Sequence, residues 1–191
     1  MLFTLVQTVF WLALSTWFGG VLFVAVAAQV IFRTVRENDP LLPTVLSVNL
    51  EGQHGTLLAG SIVANLLGVL VKVQLGCAAA VGLALAAQWL VTSPERFWVV
   101  HLVRSALFLA AVGLVVYDWR GVGPRVLKYR QEYIDHADEP EVANPAKEQF
   151  DRYHRESVTV LMILLAVLLG MVFFSAGLAP TPSQTFVAAG R

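Results

Sequence analysis

The sequence predicts an all-α fold: a polytopic membrane four-helix bundle with short amphipathic interfacial helices. Hydrophobic residues make up 57% of the 191 residues and charged residues 14%, whereas a typical soluble domain has about 45–50% apolar and about 25% charged residues. The apolar residues concentrate in four long runs. About 20 apolar residues in a helix cross a hydrocarbon core about 30 Å thick. One transmembrane domain over residues 1–191 is therefore expected.

The first two apolar runs each predict one crossing. Leu2–Phe32 lacks the positive start of a signal peptide and is far longer than one, so a retained helix over about 2–32 is expected. Thr56–Thr92 would be about 55 Å long as a single helix, which exceeds the bilayer. It contains no proline, and a fifth crossing would violate the charge rule for loops. One long tilted helix over about 56–92 is favoured, with two helices as the alternative.

Proline-containing helix starts delimit the other two crossings. Ser93-Pro94-Glu95 combines an N-cap serine with a proline in the first turn, which predicts a third crossing over about 94–119. Asn144-Pro145 repeats this signal and predicts that the fourth helix, about 145–178, begins before the apolar run Ser157–Leu178. Asp39-Pro40 is a further start, which predicts a short amphipathic helix through about Leu50.

The segment between the third and fourth runs is predicted to hold a second interfacial helix. Gly121, Gly123 and Pro124 are expected to break the third helix. The stretch Pro124–Ile134 then has apolar residues at helical spacing among Tyr, Lys and Arg, which is typical of a membrane surface. The acid-rich stretch 135–143 is predicted to be a solvated linker.

The distribution of Lys and Arg predicts the orientation. The third loop carries seven of them: Arg120, Arg125, Lys128, Arg130, Lys147, Arg152 and Arg155. Arg33 and Arg36 follow the first run. Because loops rich in Lys and Arg stay cytoplasmic, both termini are expected outside the cytoplasm, with the protein in the cell membrane (inner or plasma). Expected partners are the lipid bilayer and other membrane subunits or a second copy; zero net charge gives no indication of nucleic acid.

Three ionisable residues lie within the apolar runs: Lys72, His101 and Arg104. Such residues are costly at membrane depth and are functional candidates by default. His101 and Arg104 lie one turn apart and share a helix face. Two interpretations stay open for Arg104: packing, with hydrogen bonds to backbone carbonyls, or a place in a polar conduit or ligand site. A polar stripe on the second helix is predicted to face its neighbours: Ser61, Asn65, Gly68 and Lys72.

Two acid-x-x-His motifs raise a metal hypothesis. Glu51 precedes His54 by three residues, and Asp151 precedes His154 in the same way. On a helix each pair shares one face and could offer a carboxylate and an imidazole to one metal ion. A haem held by His54 and His154 is a related alternative. The single Cys77 excludes an intrachain disulfide and a multi-cysteine cluster, and no other cofactor is implied.

Three short motifs carry a family resemblance. They are Trp17-Phe18-Gly19-Gly20 in the first helix, Gly123-Pro124 in the third loop, and Phe150-x-x-x-His154-x-x-Ser157 in the fourth helix. Together they resemble the transmembrane protein 205-like family of small four-helix membrane proteins with an uncharacterised domain. The resemblance covers nearly the whole chain and implies architecture without a reaction.

The last of these motifs predicts an inward face on the fourth helix. Phe150, His154 and Ser157 lie at i, i+4 and i+7 and share one side of the helix. With Phe150 as an apolar anchor, this side is expected to face into the bundle. His154 is then expected to tie helix ends together through hydrogen bonds, or to bind a metal ion if His54 approaches.

No catalytic signature is present. The chain has no G-x-S-x-G motif, no P-loop and no dinucleotide fingerprint, which favours a non-enzymatic protein. The predicted function is an accessory or scaffold protein, or a small-solute permeation module. The alternative is a metal- or haem-binding membrane redox protein that uses His54 and His154.

Overall fold

The computed structural model describes residues 2–38, 53–91 and 98–176, and this part of the chain is almost entirely helical. The elements are α1 (Leu2–Asn38), α2 (His54–Val91), α3 (Trp98–Tyr117), a π-helical segment (Asp118–Val122), α4 (Gly123–Asp135) and α5 (Pro140–Ala176). Because α3, the π-helical segment and α4 are continuous, the described residues form four helical rods of 37 or 38 residues. All four are long and apolar enough to cross a membrane. The predicted all-α four-helix fold is confirmed, and the chain is a multi-pass membrane protein.

One buried stripe per helix forms the core. On α1 the stripe is Phe10, Leu14, Trp17, Val21 and Val24. These intervals alternate between four and three residues, the spacing of helices that pack side by side at a small crossing angle. The facing stripes include Leu70, Gln74, Cys77, Val81 and Gln88 on α2, and Val160, Leu164, Leu168, Met171 and Ser175 on α5. α1 packs chiefly on α2, and α5 on α3 and α4.

The second apolar run is one helix, α2, as favoured from its lack of proline. Its predicted inward polar stripe is wrong, because Asn65, Gly68 and Lys72 are exposed. The buried stripe of α2 instead passes through Leu70 and Gln74, about half a turn away on the helix surface.

The predicted break after the third helix is a π-helical turn. The Gly123 N–H donates to the Asp118 carbonyl, five residues earlier, so the chain stays helical. Pro124 then lies in the first turn of α4, where its missing N–H costs little. The interfacial helix predicted over Pro124–Ile134 is present as α4, one residue longer at each end.

Two other helix ends differ from prediction. α5 begins at Pro140 rather than Pro145, so only residues 136–139 separate it from α4 and the predicted linker is mostly helical. Pro145 lies inside α5 but is exposed, so water can bond the carbonyl that its missing N–H leaves free. α1 continues past Phe32 to Asn38. The predicted helix at Pro40–Leu50 and the Ser93-Pro94-Glu95 start lie outside the described residues.

Exposed aromatic side chains mark two levels of the bundle. Trp98 lies at the start of α3 and Tyr117 at its end, and both side chains are about half exposed. The helix rise separates them by about 29 Å, close to the thickness of the hydrocarbon core. Trp and Tyr are enriched at both membrane surfaces. The two ends of α3 are called the Trp98 level and the Tyr117 level below.

Candidate functional site

The core of the bundle contains a buried arginine. Arg104 on α3 has no exposed surface, and His101, one turn earlier, is 5% exposed. Arg104 lies about 9 Å along α3 from the Trp98 level, within the stretch predicted to cross the membrane. A charged group at that depth is costly unless it is paired, and it marks a functional site by default.

A chain of hydrogen bonds links Arg104 to two other helices. Arg104 Nη1 donates to Gln88 Oε1 on α2 over 2.9 Å. Gln88 Nε2 donates in turn to Gln7 Oε1 on α1, also over 2.9 Å. The guanidinium carbon lies 4.4 Å from the centre of the Phe10 ring, a cation–π contact. The polar chain therefore holds α1, α2 and α3 together near the Trp98 level.

Arg104 is not neutralised within the part of the chain that the structure describes. An ion pair joins His136 and Glu139, between α4 and α5, and no ion pair with Arg104 is found among the described residues. Arg104 Nε and Nη2 are buried without a hydrogen-bond partner, as are both ring nitrogens of His101. Nε and Nη2 form one edge of the guanidinium, with two parallel N–H groups that match the two oxygens of a carboxylate or phosphate. The site thus presents a free bidentate donor pair.

Other polar groups lie at the same level. Trp89 packs its ring 5.5 Å from that of His101 and donates from Nε1 to Ser105 Oγ over 3.1 Å. Ser175 on α5 is fully buried and its hydroxyl has no partner among the described residues. The Ser157–Asp118 hydrogen bond marks one level on both helices. By helix rise, Ser175 lies about 27 Å from Ser157 and His101 lies about 26 Å from Asp118, so Ser175 and His101 lie at one level.

An open groove lies on the outer side of this cluster. It follows the first turns of α1 and has a volume of about 410 Å³. Its walls are Phe3, Thr4, Gln7, Thr8, Trp11 and Leu12. Gln7 is therefore both a wall residue of the groove and the last member of the hydrogen-bond chain from Arg104.

A second polar layer lies at the Tyr117 level. Ser157 Oγ donates to Asp118 Oδ1 over 2.8 Å, and the Tyr117 hydroxyl donates to Glu156 Oε1. Asp118 and the buried Gln74 also line a cavity of about 10 Å³. That volume holds about one water molecule. Asp118, Ser157, Tyr117 and Glu156 thus have side-chain partners, unlike His101 and Ser175.

Of the predicted metal ligands, the structure describes His54, Asp151 and His154. His54 is buried at the start of α2, and Leu57, one turn on, packs on Ala137 in the turn before α5. Asp151 and His154 are exposed, and His154 lies about 21 Å along α5 from Pro140. The pairing of His54 with His154 stays a prediction. Glu51 lies outside the described residues, within which no group of three or more His, Cys, Asp or Glu could hold a metal ion.

The other predicted site residues divide between inside and outside. His101 and Arg104 are buried in the core, and Lys72 is exposed at the level of Asp118. Ser157 faces inward as predicted and bonds to Asp118 in the π-helical segment. The expectation of an inward His154 is wrong, because its exposed ring stacks on Phe150 with centroids 5.6 Å apart.

Sequence reasoning missed the two amides of the polar chain, Gln7 and Gln88. A signal for Gln88 was present, since it follows Cys77 and Val81 at the four- and seven-residue intervals of a core stripe. A glutamine at such a position is buried and needs a hydrogen-bond partner. Gln7 is only partly buried, so its sequence position does not predict a partner. Its role follows from the hydrogen bond with Gln88, which requires the packing of α1 on α2.

Comparison of the chain with protein-family models, curated proteins and solved structures found no match. The resemblance to the transmembrane protein 205-like family stays a prediction.

Proposed function

We propose that this protein is a non-enzymatic membrane module that binds a small anionic solute at Arg104. The observation that carries the proposal is the state of the guanidinium: it is fully buried, its Nε and Nη2 have no partner, and no carboxylate among the described residues pairs with it. A carboxylate or phosphate would neutralise the charge and occupy both free N–H groups at once.

The surroundings support an anion with a second polar group. His101 and Ser175 offer unpartnered nitrogen and hydroxyl groups about one helix turn from the level of Arg104. A neutral imidazole has one donor and one acceptor, so a hydroxyl or carbonyl group on the solute would suit it. The ring of Phe10 covers one face of the guanidinium.

The core between the two polar layers supports a binding site rather than an open pore. Leu14, Trp17, Val81 and Leu168 are fully buried there. We infer that solute reaches Arg104 from the Trp98 level and that any passage to the Tyr117 level requires helix movement. Uptake of radiolabelled acetate or phosphate into proteoliposomes distinguishes a permeation module from an accessory protein that only binds.

Thermal unfolding in detergent tests the binding proposal. Sodium acetate and sodium phosphate, compared with chloride at equal ionic strength, should raise the unfolding midpoint of the wild type. At a concentration 100-fold above Kd, binding contributes about 2.7 kcal/mol, or roughly 5–10 °C for a chain of this size. Arg104→Lys keeps the charge but loses the planar donor pair, so the shift should fall at least by half.

The matched control is Arg155→Lys, because Arg155 is an exposed arginine on α5. It should shift with acetate or phosphate as the wild type does. Equal anion shifts in Arg104→Lys and wild type would place the anion elsewhere and overturn the proposal.

For the orientation, we propose a location in the cell membrane with both termini outside the cytoplasm. The excess of Lys and Arg on α4 and the first half of α5 supports it. In a Cys77→Ala background, a cysteine at the exposed position 140 should resist a membrane-impermeant thiol reagent in intact cells and react after lysis. Labelling in intact cells would reverse the orientation.

A further inference from the structure

The groove along α1 has the properties of a ligand entrance that opens to the lipid. We propose that it binds a lipophilic monocarboxylate with a single aliphatic chain, whose head meets Gln7 and whose chain lies along Trp11 and Leu12. This inference rests on the proposed function and names the class of anion and its route of entry.

The direction of the hydrogen-bond chain follows from Arg104. A guanidinium only donates hydrogen bonds, so the oxygen of Gln88 must face it. The Gln88 amide nitrogen then faces α1, and the oxygen of Gln7 must accept from it. Because the oxygen of Gln7 accepts from Gln88, its NH₂ group is available to donate to a ligand in the groove that Gln7 lines. The orientation of both amides is thus fixed by a donor-only group.

This arrangement extends the positive charge of Arg104 toward the groove. Hydrogen bonds in a chain polarise one another, and here every donor points away from the arginine. The groove therefore presents a polarised N–H donor, which is complementary to an anionic oxygen. An ammonium group or a neutral donor would meet a donor and be disfavoured.

The walls and depth of the groove favour a single-chain amphiphile. Phe3, Trp11 and Leu12 supply apolar surface, and the groove is open on its outer side, where an aliphatic chain can lie in lipid. Gln7 is bonded to Gln88, the partner of Arg104, and Arg104 lies about 9 Å inside the Trp98 level. The phosphate of a bilayer phospholipid lies outside the hydrocarbon core. A single-chain acid can descend to that depth with its chain still in lipid.

Tryptophan fluorescence in phosphatidylcholine vesicles tests this proposal. The probe is a dodecanoate with a bromine on its chain, which quenches nearby indoles, and brominated dodecanol is the neutral comparison. We expect saturable quenching by the acid, loss of its saturable part in Trp11→Phe, and at least tenfold weaker binding of the alcohol.

Gln7→Glu is the decisive variant, because it keeps an acceptor for the Gln88 N–H but replaces the donor that faces the groove with an oxygen. Its half-saturation for the brominated acid should rise at least tenfold, whereas Gln131→Glu, at an exposed amide on α4, should leave it unchanged. Gln7→Leu, which removes the donor without adding charge, should weaken binding by a similar factor.

Two outcomes would overturn the inference: acid and alcohol quench equally, or Gln7→Glu and Gln7→Leu both bind the acid as the wild type does. If acetate still raises the wild-type midpoint while the brominated acid shows no saturable quenching of Trp11, Arg104 binds anions and the groove does not. If neither acetate, phosphate nor the brominated acid binds, the proposed function fails as well.

Discussion

Two arginines, Arg104 and Arg130, are both withdrawn from solvent, but their surroundings differ. Arg130 on α4 is half-buried, and its Nη2 donates to the Leu57 carbonyl and to Ser61 Oγ, each over 2.8 Å. Arg104 is fully buried and makes one hydrogen bond, to Gln88. Arg130 thus ties α4 to the start of α2, whereas Arg104 keeps two donors free.

The contrast extends to the layers in which the two residues lie. Beside α4, Ser157 bonds to Asp118 and Tyr133 bonds to Gln53. Around Arg104 the unpartnered atoms accumulate in the buried core. Buried polar groups without partners are destabilising, so their presence in one region indicates a use other than stability.

The largest effect is expected from reversing the charge at Arg104. Arg104→Glu places a carboxylate beside the Gln88 oxygen and the Phe10 ring, both of which favour a cation. An uncompensated buried charge costs about 3–5 kcal/mol. The detergent unfolding midpoint should fall by about 10 °C, or the protein should fail to fold.

Arg104→Leu is the companion variant. It frees the Gln88 oxygen, which costs about 1–3 kcal/mol, but it also removes the penalty of burying a charge. We expect a midpoint close to that of the wild type and no stabilisation by acetate or phosphate. If Arg104→Glu were as stable as the wild type, Arg104 would be solvated or facing lipid in the membrane, and its burial would have no functional meaning.

A smaller and more local effect is expected at Arg130. Arg130→Met keeps an aliphatic stem but removes both hydrogen bonds to α2. Because the site is half exposed, the loss should be about 1–2 kcal/mol. Hydrogen exchange of the amides at 54–61 should accelerate, while that of α3 near Arg104 stays unchanged.

The control is Arg125→Met, since Arg125 is exposed and its guanidinium carbon lies 5.3 Å from the centre of the Tyr153 ring. It should change stability by less than about 0.5 kcal/mol. Faster exchange throughout the bundle in Arg130→Met would mean that Arg130 supports the whole fold rather than one junction.

The helices could be predicted from the sequence because their causes are local. Apolar length decides a membrane crossing whatever the neighbours are, and α4 follows from the spacing of its own residues. The predicted start of α5 was wrong because either of two prolines, Pro140 or Pro145, could begin this helix. Pro140 is the actual start, and the exposed Pro145 is tolerated inside the helix.

The site could be predicted only in part, because it depends on which side of each helix faces the core. Arg104 and His101 stood out as ionisable residues in an apolar run. Their link to Gln7 and Gln88 depends on the packing of three helices, which no single helix encodes. The polar stripe through Asn65 and Lys72 failed for the same reason, since periodicity gives a face without saying what it contacts.

The smallest effects should come from adding one methyl group near the arginine site and away from it. At Gly82 a Cβ would lie 2.9 Å from Phe108 Cζ, so the ring must move. At Gly113, on the same α3 as Phe108, a Cβ has no heavy atom within 4 Å.

Alanine gains about 0.5–1 kcal/mol over glycine within a helix, and overpacking costs about 1–3 kcal/mol. Gly113→Ala should therefore raise the midpoint by about 2 °C and Gly82→Ala should lower it by a few degrees. Equal midpoint shifts in both variants would show that the Phe108 ring can move at little energetic cost. The core beside Arg104 could then admit a ligand through side-chain movement, without movement of a helix.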